Sequence, residues 1–185
     1  MMKKSFCIMI SVIGILFGLQ TAMAEEAPPA MRQFAESTLT AFATDQILIT
    51  AVKDENAKGK TLDDIKRLDQ QWTSTAGIAD FMQTVLGNKT AEYLDAIQNK
   101  ADYYEEIFLM DNQGALVAAT DKTSDYWQGD EDKFTVPYST GDILISEVAF
   151  DSSSQAYLVQ VSLPIKEGDK AIGAITFGIN LDKFE

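Results

Sequence analysis

The chain has 185 residues, 46% of them hydrophobic, which suits one globular domain with a substantial core. Its 15 basic and 28 acidic residues give a net charge of -13, the wrong sign for a nucleic-acid partner or an anionic membrane surface. It has no histidine and one cysteine, Cys7, so the commonest general base and metal ligand are missing, and disulfides, thiolate catalysis and cysteine-type zinc sites lack their residues.

Residues 1–24 read as a secretory signal peptide. Lys3 and Lys4 precede an apolar run from Phe6 to Leu19, and Ala22-Met23-Ala24 supplies small residues where a signal peptidase reads them, so cleavage is expected after Ala24. The run is shorter than the ~20 residues that span a bilayer comfortably. Cleavage removes two lysines and no acid, leaving residues 25–185 with a net charge of -15. The expected product is an acidic, soluble, cysteine-free domain without a membrane anchor of its own. In a Gram-negative cell it would be periplasmic.

Helical spacing dominates from residue 28 to 101. Pro28 and Pro29 can open a helix in which Met31, Phe34, Leu39, Phe42, Ile47, Leu48, Ala51 and Val52 recur at helical intervals. This predicts one long N-terminal helix ending near Ala57, ~45 Å long at 1.5 Å per residue. Thr61 to Asp64 resembles an N-cap followed by an acid, opening a helix with Leu62, Ile65, Leu68 and Trp72 on one face. A third helix carries Ile78, Phe81, Met82 and Val85 and stops at Gly87. A fourth starts at Thr90, with Tyr93, Leu94 and Ile97 inward.

Strand patterning dominates from 105 to 180. EIFLMD, a DNQG turn and ALVAAT read as a hairpin; DILISEVAF, AYLVQVSLPI and KAIGAITFGIN read as three more strands. Their connectors are short, including a turn at Ser152–Ser154, which favours antiparallel neighbours. The expected architecture is α+β, with helices packed on a five-stranded antiparallel sheet.

Catalytic motifs are absent. There is no G-x-S-x-G turn, no histidine to activate a serine, and no glycine-rich loop before a Lys-Ser/Thr pair. The chain reads as a non-enzyme that requires no cofactor; a hydrolase built on two carboxylates is the catalytic alternative. TSDYWQGDEDKF, residues 123–134, is the most informative stretch. Asp125, Asp130, Glu131 and Asp132 raise the question of a Ca²⁺ loop, but their spacing does not match an EF-hand and no metal site is assigned. Aromatic faces beside acids also suit a cationic group, through cation–π contact and charge-assisted hydrogen bonds. The two arginines beyond the signal, Arg32 and Arg67, lie in the helical half. The loop therefore suits a cationic or polar neutral ligand better than an anion.

A long N-terminal helix, further helices, an antiparallel sheet and a ligand loop together resemble Cache domains, the extracytoplasmic PAS-like PDC sensors. AVKDENAKGKTLDDIKRLDQQW, EIFLMDNQGALVAATDKTSDYWQGDEDKF, SEVAFDSSSQAYLVQVSLPI and AIGAITFGIN carry the resemblance, which extends over about residues 28–184. It implies a small-molecule pocket between the sheet and its covering loops. It also implies a signal passed to a membrane-anchored partner. Tyr126 and Trp127 resemble the aromatics of the covering segment, and Phe150-Asp151 resembles the aromatic–aspartate pair that holds a ligand amine. The arginine that holds a carboxylate in the amino-acid-binding branch has no counterpart.

The expected ligand residues are thus Asp125, Tyr126, Trp127, Asp130 and Asp151, converging on one hollow above the strands. Gly129 would allow a bend that turns Asp130 inward, Glu131 and Asp132 would face water, and Lys133 would balance nearby acids. The alternative is an interaction protein that uses its N-terminal helix, with its Leu39, Phe42 and Ile47 stripe, to dimerise or to engage a membrane-anchored partner.

Overall fold

The computed structural model describes residues 26–151 and 155–184; the expected signal peptide of residues 1–24 and the turn expected at Ser152–Ser154 lie outside the described residues. The N-terminal helical stretch is three pieces rather than one long helix: α1 (Pro29–Ser37), a 3₁₀ segment (Leu39–Thr44) and α2 (Gln46–Ala57). The break has a local cause. The Asp45 carboxylate accepts the Ile47 and Leu48 backbone N–H groups at 2.8 and 3.3 Å, and so starts a new helix instead of continuing the old one. Tyr93 donates its hydroxyl to the other Asp45 oxygen at 2.7 Å, tying this cap to α5 (Lys89–Gln98).

The stripe offered for dimerisation is largely spent on the core. Leu39 is buried and Phe42 packs on Phe177, which leaves Ile47 half exposed. Helix α3 (Leu62–Ser74) starts at Thr61 with Asp64 three residues on, in the pattern its sequence predicts. The third expected helix shrinks to a 3₁₀ turn (Asp80–Met82) and one turn of α4 (Gln83–Leu86).

The sheet is antiparallel: β1 (Tyr104–Met110), β2 (Leu116–Ala119), β3 (Leu144–Ile145), β4 (Ala149–Asp151), β5 (Ala156–Glu167) and β6 (Lys170–Asn180). Its order is β2-β1-β6-β5-β3, with β4 also pairing β5. Six strands therefore fill five positions, because the expected strand DILISEVAF is broken in two. Ser146 makes the break: its backbone N–H binds Gln160 O, but its Oγ, not a strand carbonyl, accepts the Gln160 N–H.

Side chains alternate between the two faces. Ile107, Leu109, Val159, Val161, Leu163, Ile175, Phe177 and Ile179 bury one face against α1, α2 and α5. The residues between them give a mixed face of Glu106, Phe108, Gln160, Ser162, Thr176 and Gly178. The loop after β2 covers this face together with α6 (Asp132–Thr140), and α3 packs behind the loop. Apolar periodicity does not mark α6, which has Pro137 inside it. Its readable signals are acids at its start and Gly141 in the left-handed conformation at its end, φ +77°. A final turn, α7 (Leu181–Phe184), follows β6.

The cap at Asp45 yields the first prediction. Asp45→Ala should destabilise the domain by about 1–2 kcal/mol in urea denaturation, and Tyr93→Phe by less. An unchanged midpoint for Asp45→Ala would show that the break in the helix does not depend on this carboxylate.

Candidate functional site

Residues 126–128 run nearly as a strand. Ala115 and Trp127 form an isolated antiparallel bridge, Leu116 N–H binds Tyr126 O at 3.0 Å, and Gln128 N–H binds Gly114 O at 2.8 Å. Side chains alternate along such a segment, so Tyr126 and Gln128 point inward and Trp127 outward. Gly129 and Gly114 touch backbone to backbone: a Cβ on Gly114 would lie 2.4 Å from the Gly129 Cα, and one on Gly129 would lie 2.3 Å from Trp127 Nε1. Gly129 thus serves close approach, and the Asp130 beyond it is exposed.

Helix α3 holds this segment in place. One oxygen of Asp69 accepts both the Tyr126 and the Trp127 backbone N–H, at 2.9 and 3.0 Å. Trp72 Nε1 donates to Thr123 O at 2.9 Å, and the Lys66 ammonium lies 4.9 Å from the centre of a Trp127 ring. Behind the loop, Lys60 Nζ donates to the Tyr126 hydroxyl at 2.8 Å, pairs with Glu55 at 2.8 Å and lies 3.6 Å from Asp111. Burial alone would lower the Lys60 pKa, but its bonds to Glu55 and Tyr126 outweigh it and hold the ammonium above its ordinary range. Burial pushes the Asp111 carboxyl up, opposed by the Gln113 and Ala115 backbone N–H groups that it accepts. Burial likewise raises the Tyr126 phenol.

These constraints create two hollows. The outer one, about 500 Å³, is lined by Lys66, Asp69, Asp125, Trp127, Asp130 and Glu131. The inner one, about 380 Å³, lies over the mixed face of the sheet, between Glu106, Phe108, Asp151 and Gln160 below and Lys122, Gln128 and Lys133 in its cover. The expected ligand residues are therefore divided. Trp127, Asp125 and Asp130 line the outer hollow and Asp151 the inner one. Tyr126 lines neither, being packed against Trp72 with ring centres 5.9 Å apart. The shared hollow expected for Tyr126, Trp127 and Asp151 is not formed, because alternation turns neighbouring aromatics to opposite sides. A larger groove, about 680 Å³, runs between Pro28, Arg32 and Ile145 on another part of the surface, where no buried unpaired polar atom is found among the described residues.

The inner hollow carries the polar groups that the sequence reading missed. Gln128 is 1% exposed; its Nε2 donates to Asp125 O at 2.7 Å, and its Oε1 is the buried side-chain polar atom left without a hydrogen-bond partner among the described residues. Lys133, whose side chain is 16% exposed, pairs with Glu131 at 3.1 Å and lies 5.7 Å from the centre of the Phe108 ring. Lys122 uses one of its ammonium donors on Thr75 O at 2.7 Å. Acids on the sheet and ammonium groups in the cover make the hollow dipolar. Among the described residues, no three acids gather as a metal site requires, and no helix is long and apolar enough to cross a membrane.

A family model, methyl-accepting chemotaxis protein-like first PDC sensor domain, matches residues 78–185, more than half of the chain and every residue that lines the inner hollow. The chain belongs to this PDC sensor family. No curated protein matches the PDC chain significantly. Solved structures similar to it include the isoleucine-bound sensory domain of the Campylobacter jejuni chemoreceptor Tlp3, 18% identical, covering 83% of this chain and 64% of that one, TM-score 0.40. The ligand-binding domain of the Pseudomonas aeruginosa amino-acid chemoreceptor PctC in complex with GABA is 10% identical, with 82% and 62% covered and a TM-score of 0.43. An extracellular ligand-binding receptor from Desulfohalobium retbaense is 17% identical, with 74% and 25% covered and a TM-score of 0.41. This PDC chain thus spans less than two thirds of the length of the solved structures it resembles.

The clamp at Asp69 is testable without a ligand. Asp69→Ala should cost about 2–4 kcal/mol, since a charged acceptor of two backbone N–H groups is lost, and amide exchange at Tyr126 and Trp127 should accelerate. Asp69→Asn, which keeps the acceptor oxygen, should recover most of both. Unchanged exchange in Asp69→Ala would show that other contacts hold the loop.

Proposed function

We propose that this PDC domain is an exported, non-catalytic sensor module that binds a small polar molecule in the inner hollow and passes its signal to a membrane-anchored partner. The observation that supports this reading is a hollow of about 380 Å³ on the mixed face, lined by the charged and polar groups of Glu106, Asp151, Gln160, Lys122 and Lys133 and by Gln128, whose buried Oε1 has no partner among the described residues. An unmet buried acceptor costs about 1–3 kcal/mol, a cost that a ligand N–H would relieve. The volume lies in the range of small-molecule pockets, ~300–1,000 Å³.

The lining indicates the ligand's shape. Asp151 and the Gln128 oxygen suit an ammonium or another N–H group, while Lys122 and Lys133 suit a carboxylate or another anionic group at the opposite end. A small zwitterion meets both demands. Asp125, Trp127 and Asp130 then belong to the outer side of the cover, and Tyr126 fixes the cover from within. The signal peptide read in residues 1–24, with cleavage after Ala24, would deliver the domain to the periplasm.

A thermal-shift screen of the cleaved protein with amino acids, amines, amino alcohols and organic acids tests the reading. A ligand at 100 times its Kd should add about 2.7 kcal/mol, or roughly 5–10 °C for a domain of this size. Asp151→Asn and Lys133→Met should each weaken that ligand about tenfold or more. The absence of a shift from every class would overturn the reading.

A further inference from the structure

We propose that Glu106 is a specificity-determining residue of the inner hollow: its carboxylate is kept there to take an N–H group of the ligand and to reject a ligand that presents an anion at that end. The proposal rests on the reading of the hollow as a ligand site and adds a second acid to it, apart from Asp151.

Glu106 stands on β1, a strand paired on both sides, by β2 and by β6. It is in register with Gly178 on β6, and Gly178 with Gln160 on β5, so the three form one row across the sheet. The middle member has no side chain. A Cβ on Gly178 would lie 2.5 Å from Glu106 Cγ and 3.1 Å from its Oε1. The empty middle position lets Glu106 and Gln160 meet from strands two positions apart, with Gln160 Nε2 donating to Glu106 Oε1 at 3.0 Å. Both line the inner hollow.

This arrangement holds a charge without cancelling it. Among the described residues no lysine or arginine pairs with Glu106; Lys133, the cation of the same hollow, pairs with Glu131. The charged groups around the carboxylate are Lys133 on α6, Asp151 on β4, and Asp121 and Lys122 in the loop after β2, while β6 presents Gly178 and β5 the neutral Gln160. Burial raises the carboxyl's pKa, opposed by Gln160 and Lys133 and reinforced by Asp151 and Asp121. A glutamine would satisfy the same hydrogen bond without the charge. The acid is useful where a cationic group enters, because that group supplies the missing counter-charge.

The sign of the stability effect separates this role from a structural one. A carboxyl whose folded pKa is raised contributes stability at low pH and loses it as pH rises through that folded pKa. Glu106→Gln should therefore leave the empty protein as stable at pH 7.5 as the wild type, or more so, while weakening its ligand.

The test uses the cleaved protein, wild type and Glu106→Gln, with glycine, γ-aminobutyrate, ethanolamine, putrescine, succinate and glycine betaine as calorimetric probes at pH 5 and pH 7.5. The expected result is that a probe with N–H groups binds the wild type, that succinate and the trimethylated betaine do not, and that the binding weakens at pH 5 with proton release. Glu106→Gln should bind that probe about tenfold or more weakly and lose both the pH dependence and the proton release. Equal binding by the two proteins, or a Glu106→Gln protein destabilised at pH 7.5, would overturn the role of Glu106 and leave the pocket reading standing. Failure of every probe to bind the wild type would overturn both.

Discussion

The architecture depends on how the two faces of one sheet are used. On one face, Val161, Ile175, Phe177 and their neighbours pack without interruption against α1, α2 and α5, and hydrophobic burial there anchors the fold. On the other, the row through Glu106, Gly178 and Gln160 replaces apolar volume with an acid, an empty position and an amide. A sheet with both faces apolar would be filled on both sides and leave no room for a ligand. The stability supplied by the first face permits a second that is polar and incompletely filled.

The cover over that second face is tied to helix α3 and to the turn after α2, not to the sheet alone. Asp69, Trp72 and Lys60 each reach a different point of residues 123–128. A shift of Gln128 on ligand binding would therefore pull on α3 through backbone hydrogen bonds. The same bonds tie Tyr126 and Asp69 to the cover of an inner hollow that neither of them lines.

Much of the fold was legible in the sequence. The change of period near residue 101, the Thr61 cap and the alternation in AYLVQVSLPI give the α+β architecture directly. The long first helix was misread because apolar spacing continues through Asp45, whose capping bonds override it. Helix α6 was hidden by Pro137. Residues 123–131 lie over the mixed face of the sheet, but their chemical types do not reveal which way each side chain points. Tyr126 and Trp127 are expected together as ligand aromatics, whereas the inward positions belong to Tyr126 and Gln128. Glu106 and Gln160 lie on different strands, 54 residues apart in sequence, and only the register through Gly178 brings them together. No local motif records such a meeting.

The most direct test of the pocket is a crystal structure of the protein purified from its own cells, with nothing added, or grown with whichever probe binds best. The account predicts density for a small molecule in the inner hollow, with an N–H group donating to Gln128 Oε1 and contacts to Glu106 or Asp151. Density seated in the outer hollow against Trp127 and Asp130, with the inner hollow closed by its own side chains, would contradict it.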